Sequence, residues 1–145
     1  MKKPNTGFYV RVINDAITES ESIGEKMNPS YEVIREAIDN KTLEKVELEK
    51  LKEIHQAFTE GTDRYRVISA MITEIKPPVK VMGIHKKLEK AFELYVEGCQ
   101  AMVDSIQLDK GTVDAAAFDA SEAIQDEATD SIAFSVQRMT SLIMK

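Results

Sequence analysis

Residues 51–75 read LKEIHQAFTEGTDRYRVISAMITEI. Within them Leu51, Ile54, Phe58, Gly61, Tyr65, Ile68, Ile72 and Ile75 recur at alternating intervals of three and four. That spacing returns each side chain to one stripe of a helix, and a sustained heptad repeat calls for knobs-into-holes packing against a second helix. The seam runs for about three and a half heptads, and the segment that carries it, Thr42 to Lys76, predicts a helix about 50 Å long with Thr42 as its cap. Gly61 falls on the seam itself, where it either permits close backbone approach or marks a kink.

Pro77-Pro78 ends this helix, because a residue before proline is pushed out of the α region. A second seam starts at once: Val81, His85, Leu88, Phe92, Tyr95, Cys99, Met102 and Ile106 keep the same heptad spacing. Two long helices with matching seams and a short proline junction predict an antiparallel hairpin. Beyond Asp109-Lys110-Gly111-Thr112 a last helix is expected over about Val113 to Met144. Its apolar places are Val113, Ala117, Ala120, Ile124, Ala128, Ile132, Met139 and Ile143, with Ser135 or Val136 between. Their mean spacing is longer than a heptad seam allows.

Working toward the N-terminus, Val10, Ile13, Ile17, Ser20, Gly24 and Met27 share one stripe of a helix over about Gly7 to Met27. Asn28-Pro29-Ser30 then reads as a break with a new start, followed by a short helix through Tyr31, Ile34, Ala37 and Ile38. Sustained alternation and Asn-Gly or Asp-Gly hairpin turns are both missing. The expectation is therefore an all-α protein: an elongated antiparallel bundle of three to four long helices plus one short helix, without β-sheet, as one domain over residues 1–145.

The balance of 19 basic against 25 acidic residues gives a net charge of −6, which disfavours nucleic acid as a partner. The basic clusters are short (Lys2-Lys3, Arg64 with Arg66, and Lys80 with Lys86, Lys87 and Lys90) and read as solvated helix faces. No apolar run approaches a membrane span, and the residues after Met1-Lys2-Lys3 lack the apolar core of a signal peptide. A single cysteine excludes an intrachain disulfide and suits a reducing compartment. The chain is expected in the cytoplasm, unless a targeting segment has been removed.

Three features could carry function: His85 and Cys99 on the second seam, and a run of acids on the last helix. His85, Tyr95 and Cys99 share the second seam, so a ligand site inside the bundle would place them together. Against this stands the plainer reading of a satisfied core histidine and a buried thiol; mid-helix, Cys99 has no cation or helix N-terminus to activate it. The third feature is an acidic stripe on the last helix, Asp119, Glu122, Asp126 and Asp130. No Lys or Arg occurs from Gly111 to Gln137 to pair with it, which suggests either a docking face for a basic partner or a solvated face. Pairing with Lys86, Lys87 and Lys90 of the neighbouring helix is the remaining option.

Neither His55 nor His85 has a glutamate three residues before it, so the Glu-x-x-His pairs of carboxylate-bridged metal bundles are missing. One cysteine and two histidines fit no zinc spacing, and no phosphate loop, nucleophile elbow or dinucleotide fingerprint is present. No metal and no cofactor are expected, and nothing argues for an enzyme. The leading expectation is a protein-interaction bundle, an adaptor or scaffold, with self-association as a homodimer; the alternative is a binder of a small molecule, cation or lipid inside the bundle near His85.

Overall fold

The computed structural model describes residues 5–144, so Lys2-Lys3 lies outside it. Four long helices dominate: α1 (Thr6–Asp39), α2 (Leu48–Glu74), α3 (Met82–Ser105) and α4 (Ala115–Ile143). Single 3-10 turns at Leu43–Lys45 and Val79–Val81 serve the first two connections. Cross-helix contacts fix the direction of each rod. Ser20 meets Tyr65 while Met27, further along α1, lies over Gly61, earlier in α2, so α1 and α2 are antiparallel. Tyr65 meets Tyr95 and Ile72 meets His85 across α2 and α3, and Gly98 meets Gln125 and Lys87 meets Phe134 across α3 and α4. Tyr9 meets Met139 and Tyr31 meets Glu122 across α1 and α4. Every neighbour runs opposite to the next, which makes an up-down-up-down four-helix bundle.

The heptad seams of α2 and α3 face each other as the sequence requires. Leu51, Ile54, Phe58, Tyr65, Ile68 and Ile72 are buried on one side, and Val81, Leu88, Phe92, Cys99 and Met102 on the other. Two core clusters result: one around Tyr9, Ile13, Tyr65, Ile68, Leu88 and Phe92 near the proline turn, the other around Ile34, Leu51, Phe58, Met102 and Phe118 at the opposite end. Gly61 leaves α2 unbroken, and the thioether of Met27 lies over the place its Cβ would occupy.

Three expectations need correction. First, Asn28-Pro29-Ser30 does not break the chain: α1 continues through Pro29 for 34 residues, and the separate short helix does not exist. An internal proline costs about 3 kcal/mol through its missing N–H and a ring clash. Pro29 is exposed, and α1 is anchored on both sides of it, by Tyr9, Ile13 and Ala16 before and by Ile34 and Ala37 after. Burial at both ends outweighs the local preference. The helix is capped where the chain needs it: the Asn5 side chain accepts the Phe8 N–H at 3.0 Å. At its other end Lys41 takes a positive φ of 57°, and Thr42 and Lys41 donate back to the carbonyls of Ala37 and Ile38. Thr42 therefore closes α1 rather than capping α2, which begins only at Leu48.

Second, a β-ladder is present, though a minimal one: β1 (Ile106–Gln107) pairs antiparallel with β2 (Thr112–Val113) between α3 and α4. Gly111, at φ 66°, supplies the left-handed residue of its four-residue loop. Third, the apolar stripe of α4 is rotated in its first half. Phe118 and Ser121 are buried and Ala120 is exposed, with the Phe118 ring stacked on Tyr31 at 5.9 Å and covered by Arg35 at 5.1 Å. One phenylalanine outweighs several alanines, because buried area scales with side-chain size.

Candidate functional site

The four interfaces are unequal. α3 and α4 make the most extensive contact, and α1–α2 and α2–α3 are also closely packed. α1 and α4 instead meet through long side chains at two places. Toward the proline end, the Tyr9 hydroxyl lies 3.3 Å from Met139 Sδ. Toward the other end, Arg35 donates to Asp119 and Glu122, at 2.9 Å each, and Tyr31 donates to Glu122. Between these ties the helices leave a cleft of about 520 Å³ open to solvent.

Its walls follow from the sequence. On α1 the half-buried stripe presents Ile17, Ser20 and Gly24, and α4 presents half-buried Ile132 and Val136 with exposed Thr129, Ala133 and Gln137. Ser20 and Gly24 stand where a heptad-like stripe would normally carry a large apolar side chain, so the missing volume is the cleft. Tyr65 of α2 and Phe92 and Tyr95 of α3 make the floor. Tyr65 and Tyr95 meet edge to face at 4.9 Å, and the Tyr95 hydroxyl donates to that of Tyr65, which donates to the Ser20 carbonyl at 3.2 Å. A separate pocket of about 130 Å³, which shares Gly24 and Tyr95 with the cleft, is also lined by Cys99 and Met102. No family model, curated protein or solved structure matches this chain. The reading of the cleft therefore rests on its geometry.

Of the three residues expected together, Tyr95 lines the cleft and, with Cys99, the smaller pocket, while His85 lines neither. His85 is buried at the proline end, where its Nε2 lies 2.9 Å from the Ile72 carbonyl and 3.1 Å from the Glu89 carboxylate. Both are acceptors, so Nε2 carries the proton, and Nδ1 accepts from the Tyr9 hydroxyl at 2.7 Å. Ile72 belongs to the last turn of α2, whose carbonyls have no helical partner ahead of Pro77. His85 is thus a side-chain cap on α2, a role that periodicity along α3 could not reveal.

The acidic stripe divides. Asp119 and Glu122 are bound to Arg35 of α1 and hold α1 to α4, while Asp126 and Asp130 remain exposed. Among the described residues no ion pair joins the stripe to Lys86, Lys87 or Lys90, and Lys87 instead lies over the Phe134 ring at 4.4 Å. No group of three or more His, Cys, Asp or Glu among them is placed to hold a metal ion, and no helix is long and apolar enough to cross a membrane.

Burial pushes the Cys99 thiol up to about 12, only partly offset by its hydrogen bond with Tyr95. Burial likewise raises Tyr9, Tyr65 and Tyr95. The unfolded chain releases the thiol proton near its ordinary value of 9.0, whereas the native chain holds it to about 12. The stabilising contribution is therefore complete below about pH 9 and is lost as pH rises toward 12, with the tyrosines steepening the fall above about pH 10. Urea midpoints measured between pH 8 and 10.5 should decline, and Cys99→Ala should flatten the decline over its first half. An unchanged slope in that variant would show that the thiol is not the group titrating.

Proposed function

We propose that this protein binds a small apolar molecule in the cleft between α1 and α4. The observation that carries the reading is a cleft of about 520 Å³, walled largely by aliphatic side chains, floored by three aromatic rings and flanked along the groove by side-chain ties between α1 and α4. Ligand sites typically occupy about 300–1,000 Å³, are mostly apolar, and lie between helices of bundles. A partner helix laid into the groove would have to cross these ties, whereas a small molecule fits between them. The Ser20, Tyr65 and Tyr95 hydroxyls of the lining are already committed to internal hydrogen bonds, which makes a surface for binding.

A neutral polarity-sensitive dye such as Nile red tests this directly. One saturable site is expected, with fluorescence enhanced on binding. Gly24→Leu from one wall and Ala133→Phe from the other should each weaken binding at least tenfold while leaving the melting temperature within a few degrees. The Cβ position of Gly24 meets only the Tyr65 hydroxyl, at 3.6 Å, so the new side chain has room to enter the cleft. Absence of saturable binding in the native protein, or equal binding in both filled variants, would remove the proposal.

A second reading, association with another copy as an adaptor or scaffold would use, is favoured by a different surface. α1 begins, α3 begins and α4 ends at the proline end, where Phe8, Val79, Met82 and Met144 are all exposed. Val79 is 82% and Met144 81% exposed, and several exposed apolar side chains gathered at one end favour an interaction surface there. Light scattering should then give a dimer mass at micromolar concentration, reduced to the monomer mass by Val79→Glu with Met82→Glu. A monomer at all concentrations would dismiss it. The lone buried thiol is compatible with a reducing cytoplasm for either role.

A further inference from the structure

We infer that the molecule held in the α1–α4 cleft is an apolar amine, with its hydrocarbon body on the aromatic floor and its ammonium group at the rim beside Glu21. The inference rests on the cleft reading above and adds the sign of the ligand's charge. Glu21 is the only charged residue lining the cleft, is exposed, and has no ion-pair partner among the described residues. Its neighbour Glu19, by contrast, is taken up by Arg64 of α2. The opposite wall deepens the bias: α4 carries no Lys or Arg before Arg138, while Asp126 and Asp130 are exposed along it. The nearest bases along the two walls, Lys26 and Arg138, lie outside the lining.

The consequence is physical. A carboxylate or phosphate amphiphile entering this mouth would give up hydration with no cation in the lining to replace it, and would meet the Glu21 carboxylate. An ammonium group meets the Glu21 carboxylate while staying partly solvated, and its desolvation is slight. The wall from Ile17 to Gly24 spans about 10 Å at 1.5 Å per residue, which sets the length of the body at that of a medium alkyl chain or two to three fused rings.

The test uses the full chain and Nile red displacement by three molecules sharing one tail: decylamine, decanol and decanoate, each below its micelle concentration. Decylamine should displace the dye at a concentration at least tenfold lower than decanoate at low salt, with decanol between them. The gap should narrow as salt is added. Glu21→Lys, an exposed substitution, should invert the order of amine and carboxylate and leave decanol unchanged. Equal or tighter displacement by decanoate overturns the inference, as does an order unaltered by Glu21→Lys; in both cases dye binding itself still stands, so the cleft survives as a ligand site. If Nile red does not bind at all, both readings fall together.

Discussion

His85→Ala should cost about 3 kcal/mol of stability, a drop of about 10 °C in melting temperature for a chain of this size. The cost has several sources that act at one point. Removing the imidazole leaves the Ile72 carbonyl at the end of α2 without its donor and the Tyr9 hydroxyl with only the weak acceptor Met139 Sδ, both in the core. It also opens a cavity at a residue only 1% exposed, between the side chains of all four helices. Buried polar groups left unpaired cost about 1–3 kcal/mol each, and a cavity adds to that. His85→Gln offers an amide donor and acceptor at similar reach and should recover part of the loss. Thermal melts of the three proteins decide the matter. A loss below about 1 kcal/mol in the alanine variant would mean that water or a neighbouring group satisfies the α2 terminus instead.

Gly98→Val should be about as damaging, for a steric reason. α3 and α4 approach so closely at this position that a Cβ would lie 2.8 Å from Gln125 Cγ, 3.0 Å from Ile124 Cγ2 and 3.1 Å from the Gln125 backbone nitrogen. The last of these cannot swing aside. Gln125 also donates its side-chain amide to the Gly98 carbonyl at 3.1 Å, a bond that depends on the same close approach. Forcing atoms into such a contact costs about 1–3 kcal/mol, and valine sits at the upper end because its branched carbon cannot rotate out of the way. Gly83 provides the control within the same helix. Nothing lies within 4 Å of its Cβ position, so Gly83→Ala should stabilise by about 0.5–1 kcal/mol through helix propensity alone. Opposite signs at the two glycines, read from urea midpoints, would confirm that packing and not glycine content sets their roles.

Both results bear on the cleft. The tight α3–α4 contact and the His85 knot hold three helices and one end of the fourth rigidly, so the freedom to open a cavity is left to the α1–α4 seam. Filling that seam by Gly24→Leu should barely alter stability, while disturbing Gly98 or His85 should alter it greatly. Stability and binding are thereby placed on different interfaces of one bundle.

The heptad intervals of Leu51–Ile75 and Val81–Ile106 were sufficient to foretell the α2–α3 hairpin, since a stripe of that period can be buried only against another rod. Periodicity also found the wall of the cleft, Val10 to Met27, without showing that its Ser20 and Gly24 would leave a gap rather than admit a neighbour. Whether a small residue means close approach or empty space depends on the distance to the next helix. Gly98 met the first outcome and Gly24 the second, though both lie on helices of similar pattern.

Pro29 and Phe118 show the same boundary. Local preference argued for a break and for an alanine stripe; the burial of Ile34 and Ala37 beyond the proline, and of Phe118 against Tyr31, overruled both. His85 capping the end of α2, and Arg35 tying Asp119 and Glu122 to α1, join residues 13, 84 and 87 positions apart. Helix type and facing stripe are local properties, because they follow from neighbours a few residues away. Which orphan carbonyl a histidine caps, which carboxylates find an arginine and which seam stays open are set only when the four rods are brought together.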